Sequence, residues 1–158
     1  MIETLQERAS HLQKADHREI ARGLSRAERK TGVDALLLLA VMEEESHFRP
    51  RAKSRRGALG LMQVRPATGR DVAKRNRISW SGEASLFQPS VNILVGAAYL
   101  RELRERFGSW DLALTAYNHG PTRARQLAGG GRNPSSRYAA RVLRRFESLR
   151  QAAEGGTS

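Results

Sequence analysis

The stretch DALLLLAVMEEESHFRP, residues 34–50, constrains this chain more than any other. Asp34 has a side chain suited to accept the open N–H groups of a first helical turn, and Pro50 cannot continue a helix. The residues between them predict a helix from Ala35 to about His47. Within it Leu38, Val41, Glu45 and Phe48 are spaced three, four and three apart, which is one helical face. One carboxylate therefore falls inside an apolar stripe. Glu43 lies well off the stripe and is expected in solvent. Glu44 falls on the flank with Leu37, Val41 and Phe48, so periodicity alone leaves it open. A helix end that frays into polar residues would give the same pattern. Desolvation disfavours the anion, so a Glu drawn into such a stripe has a raised pKa and suits general acid work near neutral pH.

The rest of the chain also reads as helical, with almost no strand signal. A weak apolar stripe predicts a first helix over about Glu3 to Gln13. A second is expected after Asp16, taken as its N-cap, up to Gly32. Arg51 to Met62 holds two glycines and several cations and reads as loop or short strand. Pro66 suits the first turn of a helix running toward Asn76, and Ile78 to Gln88 is irregular. Pro89 or Ser90 opens a long helix through Phe107, ended by Gly108. A short helix follows from Ser109 to about Tyr117, stopped at Gly120-Pro121. AGGGRNPSS is a turn-rich loop. Ser135 or Ser136 caps a last helix from Arg137 to about Gln151, and EGGTS is a frayed, disordered tail. The expected class is all-α with at most a minute β element, in a single domain over 1–158 whose core spans about 18–150.

Composition narrows the function. The 158 residues suffice for one domain with its own core. Lys and Arg number 28 against 16 Asp and Glu, a net charge of +12 that attracts polyanions such as nucleic acid, anionic lipid or acidic wall polymer. There is no cysteine, which excludes disulfides and thiolate metal sites. His11, His17, His47 and His119 are scattered, so no metal and no cofactor is expected. No segment reaches the roughly 20 apolar residues of a membrane span, and the first residues lack the apolar core of a signal peptide.

The segment from Glu45 onward resembles a known family. Glu45-Ser46, Phe48, Ser54, Gly57-Ala58-Leu59-Gly60-Leu61-Met62-Gln63 and Pro66-Ala67-Thr68 are similar to the first two motifs of lytic transglycosylases of the soluble-lytic-transglycosylase type. NILVGAAYLRELRERFG and ALTAYNHGP resemble the third motif region, with Tyr117-Asn118 at its centre, and Tyr138 resembles the family's late tyrosine. The likeness covers about Ile20 to Phe146. The chain departs from the pattern at Gln88, where the family usually has Asp, at Arg65, often Met, and at His119, commonly a small residue.

The resemblance implies a goose-type-lysozyme-like fold with a substrate cleft. It implies cleavage of the β-1,4 bond between N-acetylmuramic acid and N-acetylglucosamine in peptidoglycan, with 1,6-anhydromuramoyl ends. It places the single acid on the Glu before Ser, hence Glu45. Asp71, Glu83 and Asp111 sit in polar contexts and offer no second acid of equal standing. Ser54 and Gln63 are expected to hydrogen-bond sugar groups, and Met62 to form an adaptable apolar wall. Tyr117 and Tyr138 suit orienting Glu45 or stacking on a sugar, although either alone would more readily be core. Asn118 binds sugar or caps its helix. Trp80 and Trp110 read as core or rim. The expected partner is the peptidoglycan glycan strand, in the periplasm or cell envelope, with the chain a monomer reaching it as a processed or trimmed form or by another export route. Accessory service to an envelope-spanning secretion or conjugation machine also fits the size. A lysozyme hydrolysing the same bond, or a non-catalytic basic module, are the competing readings. No nucleic acid is expected, because basic residues with interleaved aromatics are missing.

Overall fold

In the computed structural model, which describes residues 1–130 and 136–155, eight α-helices follow one another. They are α1 (Ile2–Arg8), α2 (Lys14–Thr31), α3 (Ala35–Ser46), α4 (Pro66–Arg75), α5 (Pro89–Phe107), α6 (Trp110–His119), α7 (Pro121–Gly129) and α8 (Arg137–Gly155). A turn of 3-10 helix, Glu83–Phe87, precedes α5. The β content among the described residues is two isolated bridges, Lys53 to Leu59 and Leu59 to Val64. The chain is all-α, with the minute β element between α3 and α4.

The backbone groups into two compact units, Met1–Ala98 and Tyr99–Ser158. In the first, α3 is the central helix: Leu37 through Met42 are all buried. Such a helix has no polar face to turn to water, so other elements must cover it on every side. α2 packs on α3, and α1 on α2. The apolar face of α2, Ile20, Leu24 and Ala27, is fully buried. α2 also lies close against the start of α5, since a Cβ at Gly23 would come within 2.8 Å of Ile93 Cδ1. In the second unit Leu103, Ala113, Ala116 and Ala124 form a core, flanked by Tyr99, Phe107, Trp110 and Tyr117.

Local signals placed most helix ends. Asp34 caps α3 through Leu36 N–H at 2.7 Å, and Ser109 caps α6 through Leu112 N–H at 3.3 Å. Ser136 caps α8 through Ala139 N–H at 3.1 Å, while Ser135 lies outside the described residues. Four expectations need correction. α1 ends at Arg8, because the carbonyl of Ala9 turns to accept Leu12 N–H at 2.9 Å. Gln13, not Asp16, is the N-cap of α2; Asp16 is its third residue and takes Gln13 N–H at 3.3 Å. α7 starts where a stop was expected at Gly120-Pro121 and runs into the expected loop as far as Gly129, with Pro121 in its first turn and Ala124 buried. α8 continues to Gly155; residues 156–158 of the expected tail and 131–135 of the expected loop lie outside the described residues.

Candidate active site

Glu45 sits in the last turn of α3, partly exposed. Just past it the backbone reverses through two left-handed residues, His47 at φ 50 and Phe48 at φ 60. Neither is glycine, and this conformation costs roughly 1–2 kcal/mol for each. Phe48 is 1% exposed. Burying such a ring yields about 1.5–3 kcal/mol, which offsets much of that strain. Ser46 is fully buried, and its hydroxyl donates to Met42 O at 3.2 Å. The reversal directs the basic segment 49–54 back along the end of α3.

The result is a cleft of about 730 Å³ in which Glu45, Ser54 and Gln63 share the lining. Arg49, Arg51 and Lys53 supply three cations to its wall. Two residues that the sequence reading left out, Leu12 and Asp16, line it as well. Leu12 falls in the expected first helix and Asp16 at an expected cap position; in the structure Leu12 lies in the turn that joins α1 to α2 and Asp16 in the first turn of α2.

The expected sugar ligands have further duties. Ser54 closes a turn: its hydroxyl oxygen accepts Ala58 N–H at 3.0 Å, leaving its proton free to donate outward. Gln63 has φ 49, and its amide nitrogen donates to Gly60 O at 2.9 Å and Ala52 O at 3.3 Å. Its side-chain oxygen is the atom left for a ligand. Met62 is fully buried and lies against α5, where a Cβ at Gly96 would meet its sulfur at 2.6 Å. In the second unit Tyr117 is half-buried, with its ring centroid 5.5 Å from that of Tyr99. Tyr138 is 5% exposed, and Asn118 is exposed near the end of α6. Trp80 packs over Gly69, and Trp110 lies under the guanidinium of Arg104 at 5.6 Å. Gln88, Arg65 and His119, the departures from the motif, are all exposed.

Glu43 is the one acidic residue of the three whose expected environment is overturned. Its carboxylate is 16% exposed and takes the Arg8 guanidinium at 2.9 and 3.1 Å. The cause is α1, whose last turn lies within reach of the end of α3. Chemically, the cleft offers two carboxyl groups, Glu45 at the end of α3 and Asp16 in the first turn of α2, donors in Ser54 and three cations, and a neutral amide oxygen. That set can transfer a proton to and from a bound neutral or anionic polymer. Among the described residues no three His, Cys, Asp or Glu side chains cluster as a metal ion would need.

Residues 24–138 match the family described as "Transglycosylase SLT domain". Among solved structures, the chain is similar to an inactive glutamate-to-glutamine mutant of the lytic transglycosylase Slt from Pseudomonas aeruginosa. That likeness has 30% identity and a TM-score of 0.78, covering 85% of this chain and 24% of the other. It is similar to the 70 kDa soluble lytic transglycosylase of Escherichia coli at 26% identity and a TM-score of 0.77, over 84% of this chain and 24% of that one. A complex of the 70-kDa soluble lytic transglycosylase with bulgecin A matches at 28% identity and a TM-score of 0.77, with the same coverage of 84% and 24%. The chain thus spans about a quarter of the length of these proteins.

Proposed function

This chain belongs to the transglycosylase SLT domain family, and from that premise we propose that it is a lytic transglycosylase acting on peptidoglycan. Glu45 is the catalytic residue. In its protonated form it gives its proton to the glycosidic oxygen as the bond between N-acetylmuramic acid and N-acetylglucosamine breaks. The resulting carboxylate then takes the proton of the muramoyl 6-hydroxyl, whose oxygen bonds to the anomeric carbon. The products are a free N-acetylglucosamine end and a 1,6-anhydromuramoyl end. One carboxyl serves both steps and is returned protonated.

The observation that carries this reading is Glu45 on the end of a buried helix, in one cleft with the motif residues Ser54 and Gln63. Ser54 and the side-chain oxygen of Gln63 are assigned to sugar hydroxyl and acetamido groups. Met62, fully buried, supports the loop that presents Gln63. Substrate contacts for Tyr117, Asn118 and Tyr138 rest on the motif alone. Arg49, Arg51 and Lys53 suit a polymer whose stem peptides carry carboxylates. We assign the work to the periplasm or cell envelope, where this substrate lies, with the chain acting as a monomer, and service to an envelope-spanning machine agrees with that assignment. No helix is long and apolar enough to cross a membrane.

One observation favours a second reading. Asp16 brings another carboxylate into the Glu45 cleft, and paired carboxyl groups are the usual equipment of glycoside hydrolysis. Digestion of purified peptidoglycan followed by mass spectrometry separates the two. Anhydro ends support the lyase, and reducing ends heavier by one water identify a hydrolase. Undigested peptidoglycan under all conditions would refute both readings.

A further inference from the structure

Residues before position 24 fall outside the family match, yet they build part of the cleft. The hairpin made by α1 and the first turn of α2 supplies Leu12 and Asp16 to the same lining as Glu45. Its position is held by several independent contacts. Leu5 and Ala9 are fully buried. His17, 4% exposed, has Nε2 at 2.9 Å from Ala9 O; the carbonyl accepts, so this nitrogen carries the proton. Arg8 grips both oxygens of Glu43 at 2.9 and 3.1 Å. Glu43 lies on the same helix turn as Glu45, so the hairpin is tied directly to the element that carries the acid.

We infer that this hairpin is a specificity wall of the glycan cleft. Asp16 accepts a hydrogen bond from a sugar hydroxyl or acetamido N–H, and Leu12 covers an apolar sugar face. The inference rests on the cleft being a glycan site. Its chemical ground is a shortage of acceptors. Arg49, Arg51 and Lys53 have donors only. The Ser54 oxygen already takes Ala58 N–H, which leaves the Gln63 side-chain oxygen as the one unengaged neutral side-chain acceptor among the described lining residues. An N-acetylated sugar presents several donors, and apart from Glu45 the one side-chain carboxylate lining the cleft is that of Asp16. Its Oδ2 takes Gln13 N–H, and a carboxylate has room for further donors on both oxygens. Arg8 is a positioning residue: it holds the wall and touches no substrate.

The test is titration calorimetry with the N-acetylglucosamine hexamer, an uncharged ligand, against the Glu45→Gln protein. In that background Asp16→Asn and Leu12→Ala should each weaken binding about threefold to tenfold. Asn at 16 keeps an oxygen for Gln13 N–H, so α2 should start as before and the melting temperature should hold. Arg8→Ala should weaken binding similarly, and Arg8→Lys should restore part of it. In the active protein Asp16→Asn should raise KM on peptidoglycan with kcat retained. Unchanged affinity in both Asp16→Asn and Leu12→Ala, or no hexamer binding to the parent, overturns the inference. A collapse of kcat in Asp16→Asn also overturns it, by making Asp16 a member of the chemistry. Hexamer binding that responds to these variants in a protein that never cleaves peptidoglycan would leave the wall standing while the proposed reaction fails.

Discussion

The side-chain oxygen of Asn92 accepts the backbone N–H of Met62 at 2.7 Å, although the two residues are 30 apart in the chain. The amide nitrogen of Asn92 donates to Leu59 O and to Leu86 O, each at 2.9 Å. Asn92 is fully buried. One side chain thereby joins the glycine-spaced loop, the 3-10 turn and the first turn of α5. The loop ends in Gln63, so a residue with no place in the chemistry decides where a cleft residue stands.

Asn92→Ala should therefore destabilise the protein by about 2–4 kcal/mol, since buried backbone groups lose their partners and each costs about 1–3 kcal/mol. Asn92→Asp should be no better, because it keeps the acceptor but aims a carboxylate at two carbonyls. Chemical denaturation measures both. A loss below about 1 kcal/mol for Asn92→Ala would mean that water replaces the network.

Two glycines of the same loop should respond differently to alanine. Gly57 at φ 78 and Gly60 at φ 77 both lie in the left-handed region. At Gly57 an added Cβ meets nothing within 4 Å. Gly57→Ala should cost only the conformational strain, about 1–2 kcal/mol. At Gly60 a Cβ would stand 2.2 Å from Leu86 O and 2.3 Å from Asn92 Nδ2. One of these is backbone and cannot step aside, so Gly60→Ala should cost clearly more and should lower kcat/KM by displacing Gln63. Equal melting temperatures for the two variants would contradict the close approach.

The three adjacent glutamates make a graded test of the proposed chemistry. Glu45→Gln should lower kcat by about 100- to 10,000-fold or more with the fold intact, since a single group serves both proton transfers. Glu43→Gln removes the charge that holds Arg8, so it should shift the hexamer affinity and cost up to about 1 kcal/mol of stability, with kcat close to the parent. Glu44→Gln should keep most activity. Muropeptide release by each purified variant, beside its circular dichroism spectrum, ranks them. A dead Glu44→Gln beside an active Glu45→Gln would reassign the acid.

The pH dependence of α8 follows from Glu147. Hydrogen bonds from Arg150, at 3.1 and 3.2 Å, and then from Gln151, at 3.0 Å, hold its carboxyl below the usual range. A folded pKa that is depressed stabilises the helix above the unfolded value, and the contribution disappears as pH falls through the folded one. Glu147→Gln should thus loosen α8 slightly at neutral pH, the difference from the parent vanishing in acid. The side chain is about half exposed, so salt should shrink the difference as well. Amide exchange along α8 at two pH values checks this. A difference that persists in acid would trace to something other than charge.

Much of the fold was legible in the sequence because helices are local objects. Asp34 and Ser109 mark helix starts through bonds that reach only two or three residues, Pro66 does so through its fixed φ, and Leu38 and Val41 share a face by spacing alone, whereas Phe48 lies past the helix and is buried by the left-handed turn. Glu45, Ser54 and Gln63 were legible in another way, through motifs whose order resembles a family. The α7 helix had a local sign in Pro121, but Gly120 beside it reads equally as a stop. What remained hidden was set by distance through space. Glu43 looked solvated because nothing nearby in sequence could reveal Arg8, 35 residues away. Asp16 had the residue type of an N-cap, yet the turn at Ala9 moved the cap to Gln13 and carried Asp16 into the cleft. Asn92 gave no signal beyond being a polar residue in an apolar helix, since its three partners come from segments that meet only once the chain is packed. Hydrogen bonds within one helical turn are fixed by the order of residues, whereas contacts between helices depend on how buried faces are brought together, and only the tertiary structure decided those.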